Sequence, residues 1–176
     1  MLSAPVVIEP ATVEPVSVDQ VKVFLRIDGG ALDPELELIC ISAREDLELM
    51  TGLRLIDQVV RVLADSVEDL AHLTVGPVQQ LVAIGAVTPD GEVEPAPIDG
   101  FALTGADLDR GVRAIGSWPQ ALLAGPIAVD LAVGYGAAGT NVPATLRLAQ
   151  LLLVRARHDD RPVDLERMLV NLRINA

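Results

Sequence analysis

Residues 141–161 read NVPATLRLAQLLLVRARHDDR, a helical pattern on which the predicted architecture depends. Asn141 is a suitable N-cap, and Pro143 fits the first turn of a helix, where its missing N–H breaks no hydrogen bond. Apolar residues then recur at helical spacing, and additional leucines widen the apolar surface beyond one face. Such a helix must be covered on nearly all sides. It is therefore either a central core helix or a helix shared between a core and a subunit interface.

The composition of the 176-residue chain limits its class. With 51% hydrophobic but 2% aromatic residues, the core must be aliphatic, and aromatic platforms for stacking nucleic-acid bases are nearly excluded. A net charge of −12 argues against binding DNA by phosphate neutralisation, although an acidic surface can line a channel through which DNA slides. High hydrophobicity together with high charge suggests that partners cover apolar area while the free surface stays acidic.

The chain contains a single cysteine, Cys40, which excludes an intrachain disulfide and a cysteine-based zinc site. Its place in a helical apolar pattern predicts a core position. The N-terminus shows no basic region before an apolar run, and no apolar stretch approaches membrane-spanning length. We therefore expect synthesis in the cytoplasm and no membrane partner.

The first 16 residues are predicted to form an extended arm, because prolines recur every five residues and fix φ. The apolar part of this arm could add to the sheet edge or groove of a neighbouring molecule, or lie over its own domain. It comprises Val6, Val7 and Ile8.

Two helices are predicted next, over residues 17–28 and 33–52. Ser17 and Gln20 form a capping box at the first, which presents Val18, Val21 and Leu25 on one side. The second begins at Asp33-Pro34 and closes at Thr51-Gly52. It carries a second apolar row of Leu38, Ile41 and Leu49, and its remainder is acidic: Glu35, Glu37, Glu45, Asp46 and Glu48. That acidic face is either solvated or directed at DNA or a basic partner.

Residues 53–136 change character, because short β-branched runs alternate with turn signals. Strands are predicted at residues 58–63, 78–87, 111–115 and 127–133. The sequence thus predicts a mainly α, α+β class: a helical bundle with a small antiparallel sheet inserted between the second helix and helix 141–161. A single domain covers residues 17–161, between the extended arm and a C-terminal tail.

The tail, residues 162–176, begins at Pro162 and contains a short amphipathic segment. A terminal helix packing on its own domain and a tail docking into another protein are both compatible with this pattern. The docking side would consist of Leu165, Met168, Leu169, Leu172, Arg173 and Ile174.

Catalytic and metal-binding patterns are missing. His158, Asp159 and Asp160 are adjacent and point in different directions from a helix end. No activated serine motif, P-loop or zinc-ligand spacing occurs. We therefore predict a protein that is not an enzyme and has no catalytic, cofactor-binding or metal-binding residues.

Residues 134–139 do match G-x-G-x-x-G, which raises a small nucleotide-binding enzyme as the rival hypothesis. The predicted helix starts after these glycines, and the preceding segments look like hairpins instead of a βαβ unit. A flexible turn is the better interpretation, so we expect no cofactor. A bacterial interaction module is a third possibility.

Several stretches occur in an order found in one known family. They are Glu14-Pro15-Val16-Ser17, Lys22, Leu25-Arg26-Ile27-Asp28, Thr51-Gly52, Val133-Gly134-Tyr135-Gly136, Val142-Pro143 and the arginine-terminated Leu151-Leu152-Leu153 helix. In this the chain resembles the head–tail connector (adaptor, or head-completion) proteins of long-tailed phages, over nearly its whole length. It is most similar to the branch found in prophages and in gene transfer agents.

The resemblance implies a virion structural protein in the neck of a phage or phage-like particle, made in the bacterial cytoplasm. Family members form a ring, usually twelve-fold, beneath the portal protein, where the ring extends the DNA channel and carries the stopper and tail. DNA passes through without specific binding. By this resemblance, the amphipathic tail would dock into the portal, and the arm would contact a neighbouring subunit.

Overall fold

The computed structural model describes residues 1–174; Asn175 and Ala176, the end of the predicted tail, lie outside the described residues. The chain divides into two compact units. The sheet unit contains Met1–Pro10, Asp57–Gly134 and Ile174. The helical unit contains Ala11–Ile56 and Tyr135–Arg173.

A five-stranded antiparallel sheet and a separate hairpin form the sheet unit. The order in the sheet is β1-β2-β7-β3-β4, and β5 pairs with β6. A short helix, α3 (Gln120–Leu123), precedes the last strand. The strands are β1 (Val6–Glu9), β2 (Gln58–Ala64), β3 (Val78–Val87), β4 (Val93–Pro95), β5 (Phe101–Ala106), β6 (Asp109–Ala114) and β7 (Ile127–Val133).

Alternation along β2 and β7 gives the sheet one buried face. Val60 lies opposite Leu131, and Val62 lies opposite Val129. All four are fully buried, as expected for the inward set of a half-buried sheet. Arg61 and Asp130 project from the other face, where the guanidinium donates to the two carboxylate oxygens at 2.6 and 2.8 Å.

Both edges of this sheet are short and bordered by proline. The four residues of β1 lie between Pro5 and Pro10. The three residues of β4 end at Pro95. Since proline has no N–H to donate to a ladder, strand pairing cannot extend far at either edge.

The helical unit is built from α1 (Val18–Leu25), α2 (Asp33–Thr51), α4 (Ala144–His158) and the short α5 (Glu166–Leu169). The backbone N–H of Gln20 donates to Ser17 Oγ at 3.2 Å, and that of Ser17 donates to Gln20 Oε1 at 3.0 Å, which completes the capping box. Gly52 closes α2 with φ of 73°, a conformation that favours glycine. The helices pack around Val21, Leu36, Cys40, Ala43 and Val154.

Polar groups are buried beside this core. Arg44 Nε donates to Glu14 at 3.0 Å, and its Nη1 donates to Glu48 Oε2 at 3.1 Å. The N–H of Leu55 donates to Glu48 Oε1 at 2.9 Å. Burial raises the pKa of Glu48, against the opposing effects of the Leu55 N–H and Arg44. Glu48 was predicted on a solvated or partner-facing acidic face. That prediction is wrong for this residue, because Glu48 is buried and its carboxylate accepts hydrogen bonds from Arg44 and from the Leu55 N–H.

Cys40 lies in the core, as its apolar pattern predicts. Gln150 Nε2 donates to the Cys40 carbonyl at 3.2 Å. Burial, with the nearby Glu14 charge, raises the pKa of the Cys40 thiol to about 11. The thiol is therefore protonated at neutral pH.

The mixed α+β class is confirmed, but the mainly α description is not supported. Helices of both the α and 3-10 type make up 36% of the chain, and strands make up 26%. The strand content is high because the arm contributes β1 and because residues 93–106 contain β4 and β5, which the sequence did not predict. Helix α4 is also shorter than residues 141–161, since Gly139–Asn141 form a 3-10 turn.

Candidate interaction surfaces

The arm residues lie on a strand of their own chain. Val6 pairs with Arg61 and Val7 with Val60, in the antiparallel ladder between β1 and β2. The side chains of Val6, Val7 and Ile8 are nevertheless 61%, 47% and 45% exposed. The arm is thus bonded to its own sheet while three apolar side chains stay open for another contact.

The six predicted tail residues divide by burial. Leu165 and Leu169 are buried in the helical unit, where α5 contacts α4. The other four are half-buried: Met168, Leu172, Arg173 and Ile174. The first pair therefore fixes the segment on its own unit, and the second group has surface left for a partner.

The glycines of residues 134–139 have structural explanations. Strand β7 is antiparallel to both of its neighbours, so no βαβ unit precedes them. Gly136 has φ of 141°, and a Cβ on Gly139 would lie 2.4 Å from the carbonyl oxygen of Pro15. Asn141 Oδ1 accepts from the N–H of Ala138 at 3.1 Å. Close backbone packing requires these glycines, and helix α4 begins too far along to offer its N-terminus to a phosphate.

An apolar groove runs between α1 and α4 of the helical unit. Its volume is about 440 Å³, and it is lined by Val16, Val23, Phe24 and Leu151, with Asp19, Gln20 and Arg147 as its polar residues. Val23 is 81% exposed. The Arg155 guanidinium lies 4.1 Å from the centre of the Phe24 ring, where it holds the ring by a cation–π contact.

Arg147 extends the groove into a second depression of about 300 Å³. This depression is also lined by Glu14, Pro15 and Gly139. Arg147 Nε donates to the carbonyl of Val142 at 3.2 Å. Its guanidinium pairs with no carboxylate within residues 1–174.

Helix α2 carries a separate apolar ridge, defined by Leu38, Glu45 and Leu49. Leu38 is 69% exposed and Leu49 is 84% exposed. The Glu45 side chain is 65% exposed. These exposures leave two large apolar side chains open along one side of α2.

The two ridge leucines were predicted from the sequence as part of a second apolar row on α2, whereas the groove was not predicted. Val23 and Phe24 lie outside the apolar face formed by Val18, Val21 and Leu25. These additional apolar residues on α1 were the sequence signal that could have indicated the groove. Arg147 gave no signal, because its place beside the groove depends on how α4 packs against α1.

Metal-binding groups are not found among the described residues. No group of three His, Cys, Asp or Glu side chains within residues 1–174 could hold a metal ion. His72 Nδ1 lies 2.9 Å from Asp109 Oδ1, and both side chains are 78% exposed. Nor does any helix in this part of the chain have the length and apolar character to cross a membrane.

Solved structures with the same fold come from phage-like particles. The chain is similar to one from the virion of a native gene transfer agent (GTA) particle, with a TM-score of 0.83 and 20% identity over 99% of this chain and 97% of that one. It is similar to a chain from the neck of an empty GTA particle, computed with C6 symmetry, with a TM-score of 0.81 and 20% identity over 99% and 97% of the two chains.

A chain from the neck of a native GTA particle, computed with C12 symmetry, gives a TM-score of 0.72 and 21% identity over 97% of this chain and 96% of that one. No protein-family model matches the sequence, and no curated protein matches it. The comparisons confirm, at the level of the fold, the resemblance inferred from the sequence.

Proposed function

We propose that this chain is a structural protein in the neck of a gene transfer agent or a related phage-like particle. The observation that carries the proposal is the similarity in fold to chains of GTA virions and necks, which covers nearly the whole length of both partners. Two of those necks were computed with C6 and C12 symmetry. Copies of this chain accordingly assemble into a ring, with twelve as the expected number.

The ring acts as an adaptor on the portal protein, where it extends the DNA channel and joins the capsid to the stopper and tail. A net charge of −12 suits a conduit whose wall must not hold DNA. In the tail, Leu165 and Leu169 anchor the segment, and Met168, Leu172, Arg173 and Ile174 face the portal. In the arm, Val6, Val7 and Ile8 contact a neighbouring copy.

Deletion of the gene in a producing host tests the proposed role. Without the adaptor, heads fill with DNA but lack tails, and expression of the wild-type protein from a plasmid restores complete particles. An epitope label on the restored protein should appear at the neck in electron micrographs. Tailed particles of normal appearance from the deletion strain would contradict the proposal.

Docking by the tail is tested with a charged substitution. Met168→Asp combined with Leu172→Asp should leave circular dichroism close to that of the wild type but prevent recovery of the protein in particles. Val163→Asp is the matched control, because Val163 is 36% exposed and lies outside the docking set. Normal incorporation of the double variant would exclude these side chains from the portal contact.

A further inference from the structure

Two open surfaces of the helical unit complement each other. The groove between α1 and α4 is apolar and has Arg147 as its unpaired cation, whereas the ridge on α2 is apolar and has Glu45 as its acid. We propose that the ridge of one copy docks into the groove of the next copy. This inference rests on the proposed function, since it names the contact by which the ring closes.

The ridge residues share one stripe of α2. Glu45 follows Leu38 by seven residues, and Leu49 follows Glu45 by four. At 3.6 residues per turn, the three side chains fall within about 40° of each other around the helix, over a length of about 16 Å. A single groove in a neighbouring molecule can therefore cover all three.

The groove offers matching chemistry. Val23 and Leu151 supply apolar area from its two helices, and Phe24 is held in place by Arg155. Arg147 lines both the groove and the adjoining depression. Asp19 also lines the groove and Glu14 the depression, so an entering acid is matched only where it approaches Arg147 itself. An acidic, apolar helix face is the occupant that satisfies both the apolar walls and the free guanidinium.

The charges within each copy leave Glu45 and Arg147 available. The cation nearest to Glu45 is Arg44, whose Nη2 is 3.9 Å away. Arg44 already binds Glu14 and Glu48 at 3.0 and 3.1 Å. Within residues 1–174, the hydrogen bond that Arg147 donates goes to the backbone carbonyl of Val142. A contact between Glu45 and Arg147 of adjacent copies would give Arg147 a carboxylate partner, and it would give Glu45 a closer cation than the 3.9 Å contact with Arg44.

Electrostatics also disfavours contacts between two copies of the same surface. A two-fold contact of ridge with ridge would bring Glu45 towards a second Glu45, and groove against groove would bring Arg147 towards a second Arg147. Like charges in an interface oppose association. A ridge-to-groove contact avoids both, and repeated contacts between two different surfaces form a ring when the rotation from one copy to the next closes.

Cysteine cross-linking in assembled particles tests this contact. Glu45→Cys and Arg147→Cys are introduced together, and the deletion strain is complemented with this full-length variant. The native Cys40 contributes little background because it is buried. Mild oxidation should give a ladder of covalent oligomers on a non-reducing gel, because each copy is linked on both sides.

The matched control is Glu37→Cys with Arg147→Cys, since Glu37 is exposed on the same helix but one residue off the stripe. This pair should give no ladder. Absence of a ladder from Glu45→Cys with Arg147→Cys, in necks that contain the variant, would overturn the inference while the proposed function stands. Absence of the wild-type protein from necks would instead refute the proposed function.

Charge reversal provides an independent measurement. Glu45→Arg or Arg147→Glu alone should lower incorporation into particles by about tenfold or more, and the two together should restore it. Glu37→Arg changes the charge of α2 equally and should incorporate normally. Wild-type incorporation of both single variants, or failure of the double variant to recover although it folds, would contradict pairing of these residues.

Discussion

The interiors of the sheet unit and of the helical unit are stabilised by different interactions. The core of the sheet unit is a continuous aliphatic cluster, to which Phe101 adds an aromatic ring. The helical unit buries Glu48, Thr51 and Gln150. Arg44 and the Leu55 N–H donate to Glu48, and backbone carbonyls accept from Thr51 Oγ1 and Gln150 Nε2, whereas Gln150 Oε1 has no hydrogen-bond partner within residues 1–174. The first unit depends on apolar area, and the second depends in addition on specific polar partners, whose loss is costly once they are buried.

The chain contains a natural probe for each unit. Trp118 is its one tryptophan, and its ring centre lies 5.5 Å from that of Phe101 in the sheet unit. Cys40 is its one cysteine, and it is buried in the helical unit. Tryptophan fluorescence and thiol labelling therefore follow the two units separately, so each prediction below can be assigned to one of them.

Leu131→Ala should produce the largest effect. Leu131 is fully buried on β7, between β2 and β3. Truncation leaves a cavity in the aliphatic core, and we expect unfolding free energy to fall by about 4 kcal/mol. Urea titration followed by Trp118 fluorescence measures this loss. Leu63→Ala, on the open face of the same sheet, should cost less than about 1 kcal/mol; equal costs would contradict the placement of the core.

Arg44→Met should be the next most damaging change. It leaves Glu14 and Glu48 without their shared cation, and the Glu48 side chain is only 7% exposed. Removing one partner of such a pair should cost about 3 kcal/mol at pH 7. Labelling of Cys40 in urea reports the loss in the helical unit.

Arg167→Met is the control for this change, because Arg167 is exposed on α5 of the same unit and pairs with no carboxylate within residues 1–174. It should shift the labelling midpoint much less. If Arg44→Met were neutral or stabilising, the polar network would not contribute to the stability of the helical unit. The proposed difference between the interiors of the two units would then be contradicted.

Ser17→Ala should have a smaller effect, since it removes one side of the capping box at α1. A loss of about 1 kcal/mol is expected from such caps. Calorimetry compares this variant with Ser42→Ala, where alanine replaces a serine within α2 and should be near neutral or slightly stabilising. A similar loss for both substitutions would exclude a specific contribution from the cap.

Features that depend on residues close together in sequence were predicted, whereas features that depend on residues far apart in sequence were not. Strands at residues 78–87 and 127–133 were found at their predicted positions, because segments in which Val and Ile recur are bordered by turn signals. Strand β1 was missed because its partner, Arg61, is far away in sequence. The prolines indicated an extended arm but not what it pairs with.

The surfaces followed the same rule. The row of Leu38 and Leu49 is a local helical pattern, so sequence alone located the ridge. The groove and the buried position of Glu48 arise from contacts between distant segments, such as Arg44 with Glu14 and Arg155 with Phe24. Those contacts could not be predicted from the spacing of residues along the chain.

The smallest predicted effect is a pH dependence confined to the helical unit. Burial raises the pKa of Glu48 above its ordinary value of 4.5, so the folded state binds this proton more tightly than the unfolded state. The resulting stability is complete below pH 4.5 and is lost as pH rises through the higher folded pKa. The stability advantage of wild type over Glu48→Gln should therefore shrink from pH 4 to about pH 7. Urea titrations of both proteins across this pH range measure the difference in stability. A difference that grows with rising pH would contradict the prediction.

The prolines at both sheet edges have a consequence for how copies can associate. An open strand edge is a template on which further chains can polymerise without limit. Here β1 offers four residues between Pro5 and Pro10, and β4 offers only Val93 and Glu94 before Pro95. Fibrous growth through main-chain bonding is thereby disfavoured at each end of the five-stranded sheet, so the proposed ring would depend on contacts between side chains.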